Sequence, residues 1–297
     1  MPKLGQWLYQ QEQTWRELPI ADAYPACREL AAAALDCQPS TIPALLNHEL
    51  TPSELDWLTR AEARHTAGEP IGLILGQVRL FERTWLVDDQ SLIPRAESYP
   101  LITLAKRALK QSPTAQQLVE IGTGSGWLLV QLLTELESTD LTKLQLIGGS
   151  DNQTAVLETA QRNADRHLSK ALADKIHWRA GDLSAPWPEL KDSSHTLILA
   201  NLPYLSQLQF DSLDSSVKEY EPEGALIGGV TGNELYLELI GQLLKLPVAS
   251  DLILETNTSN RITFTQALAQ RFPKQTLIVE AESDSNSQTE FVWLKLL

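Results

Sequence analysis

Apolar positions along this chain recur in two rhythms. Up to about residue 69 they fall at helical spacing. Leu4, Trp7 and Leu8 form one stripe, and Tyr24, Cys27, Leu30, Ala31 and Ala34 form a second. Thr51-Pro52-Ser53-Glu54 has the form of a capping box with proline at the first helical position, opening a helix through Trp57, Leu58 and Ala61. Aromatic residues on such faces read as core, and Gly68-Glu69-Pro70 closes the module. Residues 71–87 then read as short strands or a hairpin, and Leu101, Ile102, Ala105, Ala108 and Leu109 predict another helix. Beyond it the rhythm changes, and short continuous apolar runs alternate with helix-patterned segments. The last of these are Thr276–Ala281, a polar turn at Ser283–Ser287, and Phe291–Leu297, which together predict a closing antiparallel hairpin. Strand–helix alternation implies an α/β fold with a doubly wound sheet. The expected organisation is a helical domain over 1–69, a linker over 70–92 and a larger α/β domain over 93–297.

Composition narrows the function. The 297 residues suffice for one large domain or two ordinary ones. A net charge of −14 argues against a nucleic-acid backbone as the main partner, because phosphates require clustered Lys and Arg. Cys27 and Cys37 form no CxxC pair, so neither a disulfide scaffold nor a zinc site is indicated. The five histidines are scattered and read as structural or surface residues. The opening Met1-Pro2-Lys3-Leu4 lacks a signal-peptide core and no apolar run reaches membrane-spanning length, so a soluble cytoplasmic protein is expected.

Candidate chemistry concentrates at the ends of the predicted strands. The run Leu197-Ile198-Leu199-Ala200 ends in Asn201-Leu202-Pro203-Tyr204. Ligands of open α/β sheets bind beyond the carboxyl ends of strands. Pro203 holds Leu202 extended, fixing the direction of its carbonyl beside the Asn201 side-chain oxygen. Two acceptors can grip the two N–H groups of a substrate –NH2, while Tyr204 covers its flat face. On its own, the tetrapeptide is also readable as a strand followed by a proline turn.

Upstream, Leu118–Ile121 runs into Gly122-Thr123-Gly124-Ser125-Gly126 and the apolar helix Trp127–Leu136, a nucleotide-binding βα unit. The spacing is G-x-G-x-G, not the dinucleotide G-x-G-x-x-G, and Glu120 puts a carboxylate where a pyrophosphate would sit. A cationic cofactor with an amino group suits this turn, and S-adenosyl-L-methionine (SAM) has both a sulfonium and an ammonium. Asp151, ending Leu144–Asp151, suits the ribose hydroxyls, or else caps the next helix. Asp182, after the strand Lys175–Arg179, suits the adenine amino group with Leu183 packed on the ring, or else serves a turn.

Taken in order, Gly68-Glu69-Pro70-Ile71, Leu92-Ile93-Pro94-Arg95, Glu120–Gly126, Gln161-Arg162-Asn163-Ala164, Asn201–Tyr204 and Glu221-Pro222…Ala225-Leu226 resemble the release-factor glutamine N5-methyltransferase family (HemK/PrmC type) over nearly the whole chain. The resemblance implies a class I SAM-methyltransferase fold, a Rossmann-like seven-stranded sheet, with a small N-terminal helical domain for substrate recognition. It implies methylation of the glutamine side-chain amide in the Gly-Gly-Gln loop of peptide-chain release factors, by a protein expected to be a monomer. By position, Asn201, Leu202, Pro203 and Tyr204 would be the catalytic and substrate-binding residues. Glu120, Gly122, Thr123, Gly124, Gly126, Asp151, Asp182, Leu183 and Asn201 would serve SAM, with no metal. Glu221 would belong to a loop that walls in the substrate, and no essential general base is expected.

Two segments depart from the family pattern. Its Asn-Pro-Pro-Tyr reads Asn201-Leu202-Pro203-Tyr204, and its Pro-Arg-Pro-Glu/Asp-Thr-Glu reads Pro94-Arg95-Ala96-Glu97-Ser98-Tyr99. Because Leu and Pro offer the same carbonyl, Leu202→Pro is expected to be tolerated. Asn-Leu-Pro-Tyr also resembles the clamp of rRNA adenine dimethyltransferases. A nucleic-acid amino-group methyltransferase and a non-catalytic SAM-binding protein therefore stand as alternatives.

Overall fold

The computed structural model describes residues 1–16, 23–111, 116–192, 195–246, 250–273, 278–284 and 289–296. Two compact units emerge: Met1–Val78 with Asp214–Tyr220, and Arg79–Leu213 with Glu221–Leu297.

The first unit is helical. Helices Leu4–Arg16, Ala23–Ala34 and Pro52–Thr66 bury Leu4, Trp7, Trp15, Cys27, Leu30 and Leu58 in one core. The capping box forms: the Glu54 amide donates to Thr51 Oγ1 at 3.3 Å, and the Thr51 amide to Glu54 Oε2 at 2.7 Å. Tyr24 departs from its predicted stripe and is exposed. Residues 71–75 are also not strand. Ile71–Leu75 is a short helix between Pro70 and a left-handed Gly76, and it buries Ile74 in the helical core. That burial carries the unit to Val78, past the expected boundary at residue 69. Asp214–Tyr220 belongs to it as well, and the Tyr220 hydroxyl donates to the Ala67 carbonyl at 3.0 Å.

Eleven strands are described. These are β1 (Gln77–Leu80), β2 (Arg83–Leu86), β3 (Gln116–Ile121), β4 (Leu144–Asp151), β5 (Ile176–Ala180), β6 (Thr196–Ala200), β7 (Leu205–Ser206), β8 (Ile227–Gly229), β9 (Ser250–Asn257), β10 (Ile278–Asp284) and β11 (Thr289–Leu296). β1 and β2 form the expected hairpin, turned by Phe81 and Glu82 at positive φ. Seven strands build the main sheet in the order β10-β11-β9-β6-β3-β4-β5. The pairs from β5 through to β9 are parallel, and β11 runs antiparallel to both β9 and β10. This is the expected class I SAM-methyltransferase sheet with its antiparallel hairpin. Residues 276–277 and 285–288, which include most of the predicted polar turn, lie outside the described residues.

Alternation along the strands sends side chains into two cores. Leu118, Leu197 and Leu199 join helices Tyr99–Gln111, Trp127–Glu135 and Thr154–His167 on one face. Val119, Ile121, Ile198 and Ala200 join helices Glu234–Leu243 and Thr258–Arg271 on the other. β4 carries Gly148-Gly149 at its middle for a steric reason. A Cβ at Gly148 would lie 2.1 Å from the Trp187 ring, and one at Gly149 would lie 2.3 Å from the Trp178 ring. Successive positions face opposite sides of a sheet, so each glycine makes room for a tryptophan on its own face.

The strand order reverses between β3 and β6, and the crevice beyond their carboxyl ends is where such sheets bind ligands. Asn163 ties its rim together. It bonds both backbone groups of Leu86, at 2.8 and 3.0 Å, and reaches the Ser125 carbonyl at 2.9 Å.

Candidate active site

Gly122, Gly124 and Gly126 adopt φ of 72°, 50° and 75°, a region that side-chain-bearing residues avoid. The turn lies close under the clamp, since a Cβ at Gly122 would stand 2.7 Å from Leu202 Cδ2. Glu120, next to last in β3, is fully buried and accepts the Thr123 hydroxyl and the Leu129 amide in the first turn of helix Trp127–Glu135. Burial pushes its carboxyl up to about 8. The acid thus occupies the helix terminus where a phosphate would dock.

Asp151 ends β4 with one oxygen accepting the Gly124 amide at 3.0 Å and the other the Gln153 amide at 2.9 Å. It is not the cap of helix Thr154–His167, whose N-cap position is Gln153. Asp182 follows β5 and is exposed, and its carboxylate has no hydrogen-bond partner among the described residues. Leu183 beside it takes a left-handed backbone, φ 46°, a strain of roughly 1–2 kcal/mol for a non-glycine residue.

These segments open onto one cleft of ≈ 830 Å³, counted to its open mouth. Its lining includes Gly122, Gly124, Asp151, Asp182, Leu183, Asn201, Leu202 and Pro203. Among the described residues no Lys, Arg or His lines it, so the described wall carries the acids Asp151 and Asp182 without a basic neighbour in the lining. Glu120, Thr123, Gly126, Tyr204 and Glu221 do not line it.

The clamp is held from behind. Asn201 Nδ2 donates one of its two N–H groups to Ser98 Oγ at 3.2 Å, which turns the amide nitrogen inward and the oxygen away from that bond. The Leu202 amide donates to the hydroxyl of fully buried Tyr236 at 2.9 Å. That hydroxyl donates to the Glu255 carbonyl at 2.6 Å and lies 3.2 Å from the Leu202 carbonyl. The Leu202 amide therefore has a partner that proline would lack, so Leu202 contributes more than its carbonyl and the expected tolerance of Leu202→Pro does not follow. The Tyr204 hydroxyl is tied back to Glu255 Oε1 at 3.1 Å. Burial and the Glu255 carboxyl push the phenol far above its usual range, so it remains a donor. Glycines 228 and 232 press against this backbone, since a Cβ on either would lie 2.2 Å from the Pro203 or Tyr204 carbonyl oxygen.

Glu221 is held in place on its loop. Its Oε1 accepts Arg95 Nη2 at 2.7 Å and its Oε2 the Ile93 amide at 3.1 Å. Both oxygens thus bond within the wall, and the residues after it, Pro222, Gly224 and Ala225, line the cleft. Sequence reasoning missed Tyr236, Ser98, Ser91 and Glu255. Ser91 lines the cleft with a buried hydroxyl that has no hydrogen-bond partner among the described residues. Glu255 carried a usable signal, because it ends the apolar run Leu252-Ile253-Leu254 as Glu120 ends its own.

Comparison with known proteins gives a consistent picture. The family profile described as "PrmC N-terminal domain" matches residues 6–76. A release factor glutamine methyltransferase of Nitratidesulfovibrio vulgaris is 33% identical over 203 residues, covering 68% of this chain and 64% of that protein. One from Koribacter versatilis is 30% identical over 211 residues, covering 71% and 70%. Among solved structures, the E. cuniculi Mtq2–Trm112 complex aligns over 70% of this chain and 98% of its own, with TM-score 0.44 and 15% identity.

Proposed function

Because this chain belongs to the release factor glutamine methyltransferase family, a SAM-dependent class of enzymes, we propose that it methylates N5 of the glutamine in the Gly-Gly-Gln loop of a peptide-chain release factor. The observation that carries the reading is the cation-free, acid-lined cleft running from the glycine turn to Asn201–Pro203. A pyrophosphate would meet Asp151 and Asp182 with no basic residue to offset them, whereas a sulfonium, an ammonium and ribose hydroxyls suit carboxylate acceptors. Asp151 would hold the ribose; a carboxylate offers about four lone-pair sites, so two amide bonds leave it capacity. Asp182 would take the adenine amino group, with Leu183 against the ring.

When bound, SAM supplies an electrophilic methyl: the amide nitrogen forms the new C–N bond, the C–S pair returns to sulfur, and the nitrogen loses a proton to water. The clamp supplies direction. Asn201 Oδ1 and the Leu202 carbonyl would accept the two amide N–H groups, turning the nitrogen lone pair toward the methyl and stabilising the positive charge that grows there. Holding partners in near-attack geometry contributes roughly 7–11 kcal/mol in favourable systems. The helical unit would recognise the body of the release factor, and the enzyme would act as a monomer in the cytoplasm.

Transfer of labelled methyl to intact release factor, RNA and DNA tests the reading. Label should appear on the release factor and vanish when its target glutamine is changed to glutamate, which lacks the amide nitrogen. Efficient labelling of RNA or DNA with none on release factor would replace it with an amino-group nucleic-acid methyltransferase.

A further inference from the structure

Behind the clamp lies a buried acid that the reaction as described leaves unused. Glu255, at the carboxyl end of β9, is 4% exposed. Its Oε1 accepts the Tyr204 hydroxyl at 3.1 Å, and its Oε2 is enclosed with no hydrogen-bond partner in good geometry among the described residues. Burial raises the carboxyl above its ordinary range, and hydrogen bonding from Ser98, Tyr204 and Asn201 with the charge of Arg95 pulls it back toward the charged form. Arg95 and Glu97 also face Tyr204, and the Tyr236 hydroxyl holds the Glu255 backbone. Among these groups, only the Tyr204 hydroxyl reaches the carboxyl in good hydrogen-bond geometry.

A primary amide can sit in either of two flips, and only one serves a clamp that must accept N–H groups from a substrate. In this structure Asn201 Nδ2 points back to Ser98 Oγ at 3.2 Å, on the side of the acid. A carboxylate can only accept, so behind an amide it favours the flip that turns –NH2 inward and oxygen outward. A neutral amide in its place would accept or donate and favour neither flip.

We propose that Glu255 is the positioning residue of the clamp: it turns the Asn201 amide so that Oδ1 faces the cleft, and it anchors Tyr204 through the phenol. The inference rests on reading Asn201 as the acceptor of the substrate amide.

Glu255→Gln, nearly isosteric, separates orientation from packing. Its kcat for release-factor methylation should fall at least tenfold, with the SAM Kd by calorimetry within twofold of wild type, since Glu255 does not line the cleft. On an Asn201→Ala background the same change should cost less than a further twofold, because its effect passes through Asn201. Ser98→Ala, which keeps the acid, should give the same pattern at smaller amplitude. The side-chain amide protons of Asn201, followed by NMR without substrate, should exchange at least tenfold faster in Glu255→Gln. Full activity in Glu255→Gln, a tenfold further loss on the Asn201→Ala background, or unchanged amide exchange would each overturn the inference. If wild type labels no release factor, the functional reading fails, and amide exchange alone decides the role of Glu255.

Discussion

Leu202→Pro installs the residue that the family carries in this tetrapeptide, and the structure predicts that it damages this chain. The Leu202 amide donates to Tyr236 at 2.9 Å, and Tyr236 is fully buried. Proline has no N–H, and its ring occupies the space of that hydrogen. Leaving a buried partner unpaired costs about 1–3 kcal/mol. The leucine side chain is itself buried and packs over Gly122, so trimming its outer methyls adds about 1–2 kcal/mol. Proline recovers up to about 1 kcal/mol by restricting the unfolded chain. The net is a loss of roughly 2–4 kcal/mol, or about 5–15 °C in Tm for a domain of this size. Tyr236→Phe alone orphans the Leu202 amide instead and should cost about 1–3 kcal/mol. The two changes remove the same bond, so urea denaturation should show the double variant less destabilised than the sum by about 1–2 kcal/mol. Methyl transfer should fall in both single variants, because each frees the backbone that carries the acceptor carbonyl. Additivity within about 0.5 kcal/mol, or a Leu202→Pro protein as stable and active as wild type, would refute the reasoning.

Asp151→Ala should weaken SAM binding about 10- to 100-fold by calorimetry, the worth of a hydrogen bond to a charged acceptor, and equal affinity would remove its assigned ribose role. Glu120 gives a pH dependence of stability. Its folded pKa, raised by burial to about 8, lies above the unfolded value of about 4.3, so its contribution is fully present below pH 4 and is lost as pH rises through 8. Glu120→Gln should flatten the decline in stability between pH 5 and 9, and an unchanged slope would mean that the acid is already ionised in the fold.

Legibility in the sequence followed the range of the interaction. The capping box at Thr51 and the glycine turn were readable because each is decided within a few residues. The doubly wound sheet followed from the alternation of apolar runs with helical patterns, and its seven strands from the family resemblance. Residues 71–75 were not readable, since four apolar side chains and a glycine bounded by Pro70 and Gly76 fit a short strand or a helical turn equally. Only packing against the helical core decides between them. The assignment of Asp214–Tyr220 to the helical unit was hidden for the same reason, as its partner carbonyl is 153 positions away at Ala67.

The acids at the strand ends show where such reading stops. Asp151 ends a strand, Glu120 and Glu255 lie within two residues of the end of theirs, and Asp182 follows one closely, so the sequence marks them all as lying at the level of the crevice. Their directions differ. Asp151 and Asp182 line the cleft, Glu120 turns inward to meet the first turn of a helix, and Glu255 lies behind the clamp. What decides each case is the chain that follows. The turn after β3 folds back so that Thr123 and Leu129 enclose Glu120, whereas the left-handed step at Leu183 leaves Asp182 exposed. Periodicity places a carboxylate at a strand end; only the path of the next few residues says whether it meets the ligand or supports the groups that do.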